Sequence, residues 1–436
     1  MISAVQVRSG IAQAMQQWRD AGWAQRVALL ALLVLPAMVV ATPVNLLPFG
    51  CLLLLSSVLG IGTLWRRPLP WPLLAPLLLL TVLQVGLGVL SLWQADVPLR
   101  ELDNLVRFLV VPWTACWVYA LRLPQRLLWS GAVVGLLASL LVAMLQVLGG
   151  AVRAEAWTNA IVLADVAVVL LVLVICCRPP ARLLTVLLAV LATALLVMLT
   201  GSRGVWPAMA MVLLLAVLSG DRGSWRRRFA VLAVAATLLA GALVASPDLR
   251  EQVRLDELAQ DWQRLQRGDV DSSAGARYER LHVAWQAFKA QPWQGVGLGQ
   301  FDTAMQRLPV CRQASEDLHR CHLEHAHNDL AEWAATRGIP GIIGLLAVYG
   351  IPLLLFARLW WQAGRPQQGP ALAGIGVVVV YVVCGLTQSM FAHQITAGLY
   401  ACLVGVLAGL GQLARQDRLQ EQAANGSLSA ASWPGR

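Results

Sequence analysis

Lysine is nearly absent from this 436-residue chain: Lys289 stands alone beside 32 arginines. Charge of either sign is scarce, at 13% of residues, about half the roughly 25% usual in globular chains. Hydrophobic residues make up 58% instead, and mean hydropathy is +0.66. These shortages exclude a soluble enzyme, a disordered tail protein and a disulfide-dense secreted module. They leave a polytopic membrane protein. The sequence also has no HExxH motif, no paired CxxC spacing, no dinucleotide fingerprint and no internal repeat. The net charge of +10 sits in short loops between apolar runs, so no nucleic-acid partner is expected.

A spanning helix needs about 20 mostly apolar residues, because the bilayer core offers no water to the backbone. Twelve such runs are read, at 27–44, 46–64, 70–93, 105–121, 127–149, 158–177, 181–200, 204–220, 229–246, 339–361, 371–390 and 394–413. Alternate loops carry Arg66 and Arg67, Arg122 and Arg126, Arg178 and Arg182, Arg222 and Arg226 to Arg228, Arg358 and Arg365, and Arg415 and Arg418. The intervening loops are poor in cations or mixed. Arg-rich loops stay cytoplasmic, which puts both termini on that side. Trp65, Trp93, Trp157, Trp206, Trp225 and Trp360 fall near span ends, where an indole suits the headgroup layer. The first long run reads as a retained span, since no short apolar core with a small-residue cleavage site precedes it.

The expected fold is therefore all-α, a transmembrane helical bundle of about twelve spans with one large, mostly helical periplasmic loop. Its parts are a cytoplasmic segment 1–26, spans one to nine over 27–246, the loop 247–337, spans ten to twelve over 338–414, and a disordered cytoplasmic tail 415–436. The loop holds 11 basic and 14 acidic residues. Two helical stripes are legible in it, Leu255, Leu258, Trp262 and Leu265 in 254–268, and Tyr278, Leu281, Trp285 and Phe288 in 276–290. Such helices lie on the membrane surface or pack on the spans.

Cys311 and Cys321 share the external loop and are candidates for a disulfide, with two free thiols as the alternative. The other cysteines fall in or beside apolar spans as small hydrophobes. His319, His322, His325 and His327 crowd into nine residues just before a span. A neutral histidine there suits a general base. A solvated loop and a metal site shared with the two cysteines are the rival readings. Arg203, in Thr200-Gly201-Ser202-Arg203-Gly204, falls at a helix junction on the same membrane side. It can grip a phosphate or anchor a lipid headgroup. Arg277 and Arg280 lie one turn apart near the start of the 276–290 helix, facing one anion or solvent. Gly295, Gly297 and Gly299 suit a tight turn or an amide nest. Asp165 lies deep in span six, where it should face the interior and either have a partner or remain protonated. The Asp269-Val270-Asp271 pair is short enough to arise by chance.

The ordered set 199–206, Arg277 to Trp285, 292–301 and His325-Ala326-His327-Asn328-Asp329-Leu330 before Gly338-Ile339-Pro340-Gly341 resembles the O-antigen ligase/polymerase superfamily of bacterial inner-membrane proteins. The resemblance implies transfer of a glycan from undecaprenyl diphosphate at the periplasmic face, inverting, independent of metal and without a cofactor. The acceptor is lipid A–core oligosaccharide in ligases, another carrier-linked unit in polymerases, and a protein Ser or Thr in O-oligosaccharyltransferases. The ligase is the leading expectation, with membrane lipids around it. Position by position, Arg203 and Arg277 match the family's arginines and His327 the histidine before Asn. Ser202, Arg280, His325 and Asn328 are the expected substrate-binding neighbours. A lipid-linked oligosaccharide flippase is the rival of another class. A transporter concentrates ionisable residues near midplane, whereas here they gather at one face.

Overall fold

A computed structural model describes residues 21–94, 99–179, 183–218, 225–246, 273–308, 311, 319–363 and 368–431. The helices run α1 (Trp23–Met38), α2 (Leu47–Leu59), α3 (Ile61–Arg66), α4 (Trp71–Gln94), α5 (Asp103–Val106), α6 (Val110–Leu121), α7 (Gln125–Leu148), α8 (Ala160–Cys176), α9 (Leu183–Thr200), α10 (Trp206–Leu218), α11 (Trp225–Ala245), α12 (Ser273–Ala290), α13 (Phe301–Met305), α14 (Asp329–Gln362), α15 (Gly369–Cys384) and α16 (Gln394–Ala431). No strand occurs among the described residues. The protein is an all-α polytopic membrane protein. The described part of each apolar run is mostly helix, and five described helices are long and apolar enough to cross a membrane. The others, among them α1, α2, α8 and α15, are apolar but shorter.

Two helices form the centre. In α8 nearly every side chain is buried, from Ala160 through Ile175, and α16 is buried throughout 396–413. Outer helices instead show Leu, Val and Trp on one side, as at Leu79, Val82 and Trp93 of α4. Trp65, Trp93, Trp157 and Trp225 are all more than half exposed, consistent with indoles seated at an interface.

Lipid tails are as apolar as leucine, so helix association in a bilayer depends on close approach rather than on hydrophobic gain. Small-xxx-small pairs supply that approach here. A Cβ at Gly131 or Gly135 of α7 would overlap the Leu33 and Pro36 carbonyls of α1. A Cβ at Gly405 of α16 would overlap Thr114 Oγ1 and the Val111 carbonyl of α6, and one at Gly409 would come within 2.7 Å of the Ala115 carbonyl. Gly405→Leu is therefore expected to destabilise the protein by about 1–3 kcal/mol through overpacking. A lower thermal midpoint of detergent-solubilised protein checks this. An unchanged midpoint would mean that α6 and α16 are not locked at this crossing.

Several elements depart from expectation. The 46–64 run is two helices divided at Gly60. The 371–390 run stops being helix at Cys384. The tail expected to be disordered continues α16 to Ala431. Its Ala, Gln, Leu and Arg content favours helix, and it extends one already nucleated, which removes the initiation cost. Its first turns are also tied down, by Gln416 to the Tyr119 hydroxyl at 2.6 Å and by Arg418 to the Gln362 carbonyl at 2.7 Å. The 254–268 helix and the Asp269–Asp271 pair lie outside the described residues.

In α12 the observed faces are inverted relative to a water-soluble helix. Val283, Ala284 and Ala287 are buried against α13 and α14, while Tyr278, Leu281 and Trp285 point outward. Small residues bring this helix close to α14, and that closeness sets the position of Arg277 and Arg280.

Candidate functional site

The site is built where α14 begins. Asn328 caps the helix: its Oδ1 accepts the Ala331 N–H at 2.9 Å, and its Nδ2 donates to the Leu386 carbonyl at 3.0 Å. Glu332, one turn in, reaches back to accept the Ala326 N–H at 2.6 Å. The Asp329 N–H donates to the Gly385 carbonyl at 2.7 Å, and its Oδ2 accepts the Tyr349 hydroxyl at 2.7 Å. These bonds fix both sides of His327, whose φ of 53° is left-handed. A non-glycine residue holds that conformation only where its surroundings over-determine it.

Around the His327 ring stand Arg280 and Arg277 from α12, His325 from its own segment, and Gln388 from the stretch after α15. Burial, then Arg280, pushes the His327 imidazole down to about 4. Burial is also the first cause of the lowered His325 ring and of the lowered Arg280 guanidinium, to which the neighbouring Arg277 adds. Arg280 is half-buried, with a buried Nε that has no hydrogen-bond partner, and Arg277 is exposed. The His325 ring packs edge-on to His393 with centroids 5.4 Å apart. Two arginines and an unprotonated imidazole thus share one neighbourhood, an arrangement able to hold an anion beside a base.

Arg203 opens a short 3-10 turn, Arg203–Val205, which contacts α8, α10 and α15. Gly204 lets this turn approach the segment after α15: a Cβ there would lie 2.6 Å from Thr387 Oγ1. Thr387 is the residue before Gln388, so the Arg203 turn packs on the same segment that supports His327. Ser202 serves the turn itself. It is buried, its hydroxyl donates to the Ala160 carbonyl at 3.1 Å, and Arg153 donates to it at 3.3 Å. Ser202 and Asn328, both expected to touch substrate, use their polar atoms in the fold.

The glycine run has a structural task. Gly338, at φ 63°, breaks α14, and Pro340 has no N–H to give. The carbonyls of Ala335 and Thr336 accept instead from Val296 N–H at 2.8 Å and Gly297 N–H at 3.1 Å, while Ile339 N–H turns to the Pro292 carbonyl at 2.8 Å. Those two loop amides face α14, and Gly295 has no room for a Cβ against Thr336 and Arg337. Cys311 and Cys321 form a disulfide, so they are not thiolate ligands for a metal. The bond ties the segment leading into His325 to the region of α13. Asp165 is buried in α8 beside Cys384 rather than an arginine, and its Oδ2 has no hydrogen-bond partner.

Sequence reasoning passed over Glu332, Arg337, Gln388 and His393. Arg337 is buried with its guanidinium 3.9 Å over the Trp333 ring, and Glu332 and Asp329 are its nearest opposite charges. A signal existed for Gln388: Thr387, Gln388 and Ser389 form a polar run at the end of an apolar span.

Residues 187–346 match the family model described as O-antigen ligase. Over that segment the match supports the resemblance to the O-antigen ligase superfamily. No curated protein matches it. The O-antigen ligase segment takes in Arg203, Arg277, Arg280, His325, His327 and Arg337, and it ends before Gln388 and His393. Gln388 and His393, which stand beside these residues, thus come from a stretch beyond the matched region.

Proposed function

We propose that this chain is an O-antigen ligase superfamily member that transfers a glycan from undecaprenyl diphosphate to lipid A–core oligosaccharide at the periplasmic face of the inner membrane. The observation that carries the reading is the His327 ring beside Arg277 and Arg280, with the Arg203 turn packed on the adjoining segment.

The chemistry follows from those groups. The acceptor hydroxyl attacks the anomeric carbon, and its proton passes to the His327 imidazole. The anomeric carbon–oxygen bond to the diphosphate breaks, and the electron pair stays on the phosphate oxygen. Arg203 and Arg277 stabilise the charge that develops there. Attack from the face opposite the leaving diphosphate inverts the anomeric centre. A polyprenyl tail lies among the spans, which is why the site is assembled from helix ends and a loop.

Purified protein with lipid-linked glycan and lipid A–core, in EDTA, should yield glycosylated lipid A–core. Longer carrier-linked chains without that acceptor would move the protein to the polymerase branch, and glycosylated Ser or Thr to the protein O-oligosaccharyltransferases. Loss of transfer in EDTA would overturn metal independence. Carrier translocation with no glycosidic bond formed would favour a flippase and sink the reading.

A further inference from the structure

Beyond the residues that would touch substrate, one side chain is placed to control the base. We propose that Gln388 is a positioning residue that fixes the His327 imidazole in a single tautomer, with His393 holding the amide in place. The proposal rests on the reading of His327 as general base and adds a partner outside the family-matched segment.

Gln388 is 2% exposed, so its amide has no access to bulk water. Its Nε2 lies 2.8 Å from His393 Nε2. An amide nitrogen only donates, so His393 Nε2 accepts and that ring carries its proton on Nδ1. The other end of the amide is the informative one. Gln388 Oε1 is buried and has no hydrogen-bond partner, a state that costs about 1–3 kcal/mol unless a donor fills it. Gln388 is among the groups that act on the His327 ring, although its Oε1 makes no hydrogen bond in this structure. Catalytic hydrogen bonds are often long before substrate binds and tighten in the complex.

An acceptor at one ring nitrogen decides the state of the other. When one His327 N–H donates to Gln388 Oε1, the opposite nitrogen carries the free lone pair and faces the acceptor hydroxyl. When that nitrogen takes the proton, the imidazolium keeps its second N–H on the amide oxygen, which stabilises the new charge. A neutral amide does this without drawing a proton to the ring beforehand, as a carboxylate would. The same geometry separates the two candidate histidines. His325 packs edge-on to His393, whereas His327 is the ring on which Gln388 acts.

Other charged groups face this ring and enter the test. Arg277 and Arg280 approach from α12, and His325 from its own segment, with Glu324 3.9 Å from the His325 ring. His393 stands behind Gln388. The α14 carboxylates are engaged elsewhere, Asp329 with Tyr349 and Glu332 with the Ala326 N–H.

The test is nitrogen-15 NMR of histidine-labelled full-length protein, with the His327 signal assigned by its loss in His327→Ala. Wild type should show one His327 tautomer. Gln388→Leu should mix the two tautomers, and Gln388→Glu should raise the His327 titration by about one pH unit or more. In parallel, Gln388→Leu should lower kcat about tenfold or more with donor KM unchanged. Thermal midpoints identify any variant that fails to fold, and Gln388→Glu keeps the shape of the side chain. An unchanged tautomer and titration in both folded variants overturns the Gln388 proposal, whatever the transfer rate. Full transfer by His327→Ala would instead remove the base reading, so the two failures are distinct.

Discussion

His327→Ala is expected to lower glycan transfer by about 10²–10⁴-fold, the range a positioned general base supplies. The loss should fall on kcat, since the imidazole acts on the attacking hydroxyl and not on the carrier. The pH dependence gives an independent check. Burial first, and then Arg280, holds the ring at about 4, below the ordinary value of about 6.5. A base works only in its unprotonated form. That form is complete at neutral pH and is lost as pH falls through about 4, so the acid limb of kcat/KM should lie near there. Binding a diphosphate neutralises Arg277 and Arg280 and makes the ring more basic. The limb of kcat, which reports the bound complex, should therefore lie at higher pH than that of kcat/KM. Coincident limbs at the ordinary histidine value would contradict this electrostatic picture.

Arg203→Ala and Arg277→Ala should each lower kcat by about 10²–10³-fold, the cost of removing one preorganised donor from a developing oxyanion. Lysine should restore only part of the rate, because a guanidinium fork matches phosphate oxygens bidentately and an ammonium does not. Steady-state rates on folded variants measure both effects. A fully active Arg203→Ala protein would detach the turn after α9 from the chemistry.

The helical class was legible because a bilayer permits few alternatives, and twelve apolar runs stand out against the 13% charged residues. Arg277 and Arg280 were legible because their spacing puts them on neighbouring turns. Their approach to His327 was not, because it depends on Val283, Ala284 and Ala287 bringing α12 against α14, and small residues give little hydropathy signal. The outward placement of Tyr278, Leu281 and Trp285 was hidden for the same reason: the period of the stripe was right, but a period does not say which side faces the protein. Ser202 and Asn328 were expected beside substrate from the family resemblance. The partners that claim them, Ala160, Arg153 and Leu386, are remote in sequence. Gln388 escaped because its run sits within a stretch whose average hydropathy marks it as membrane.

On the proposed periplasmic placement of its loop, the covalent tie between Cys311 and Cys321 sets an order of events in biogenesis. Thiols stay reduced on the cytosolic side and pair where oxidants are supplied. If the loop is periplasmic, as proposed, the stretch leading to the histidines reaches its finished form only after export, and a chain inserted the other way would keep it untied. Bond closure then serves as a chemical record of correct insertion, written beside the residues that depend on it.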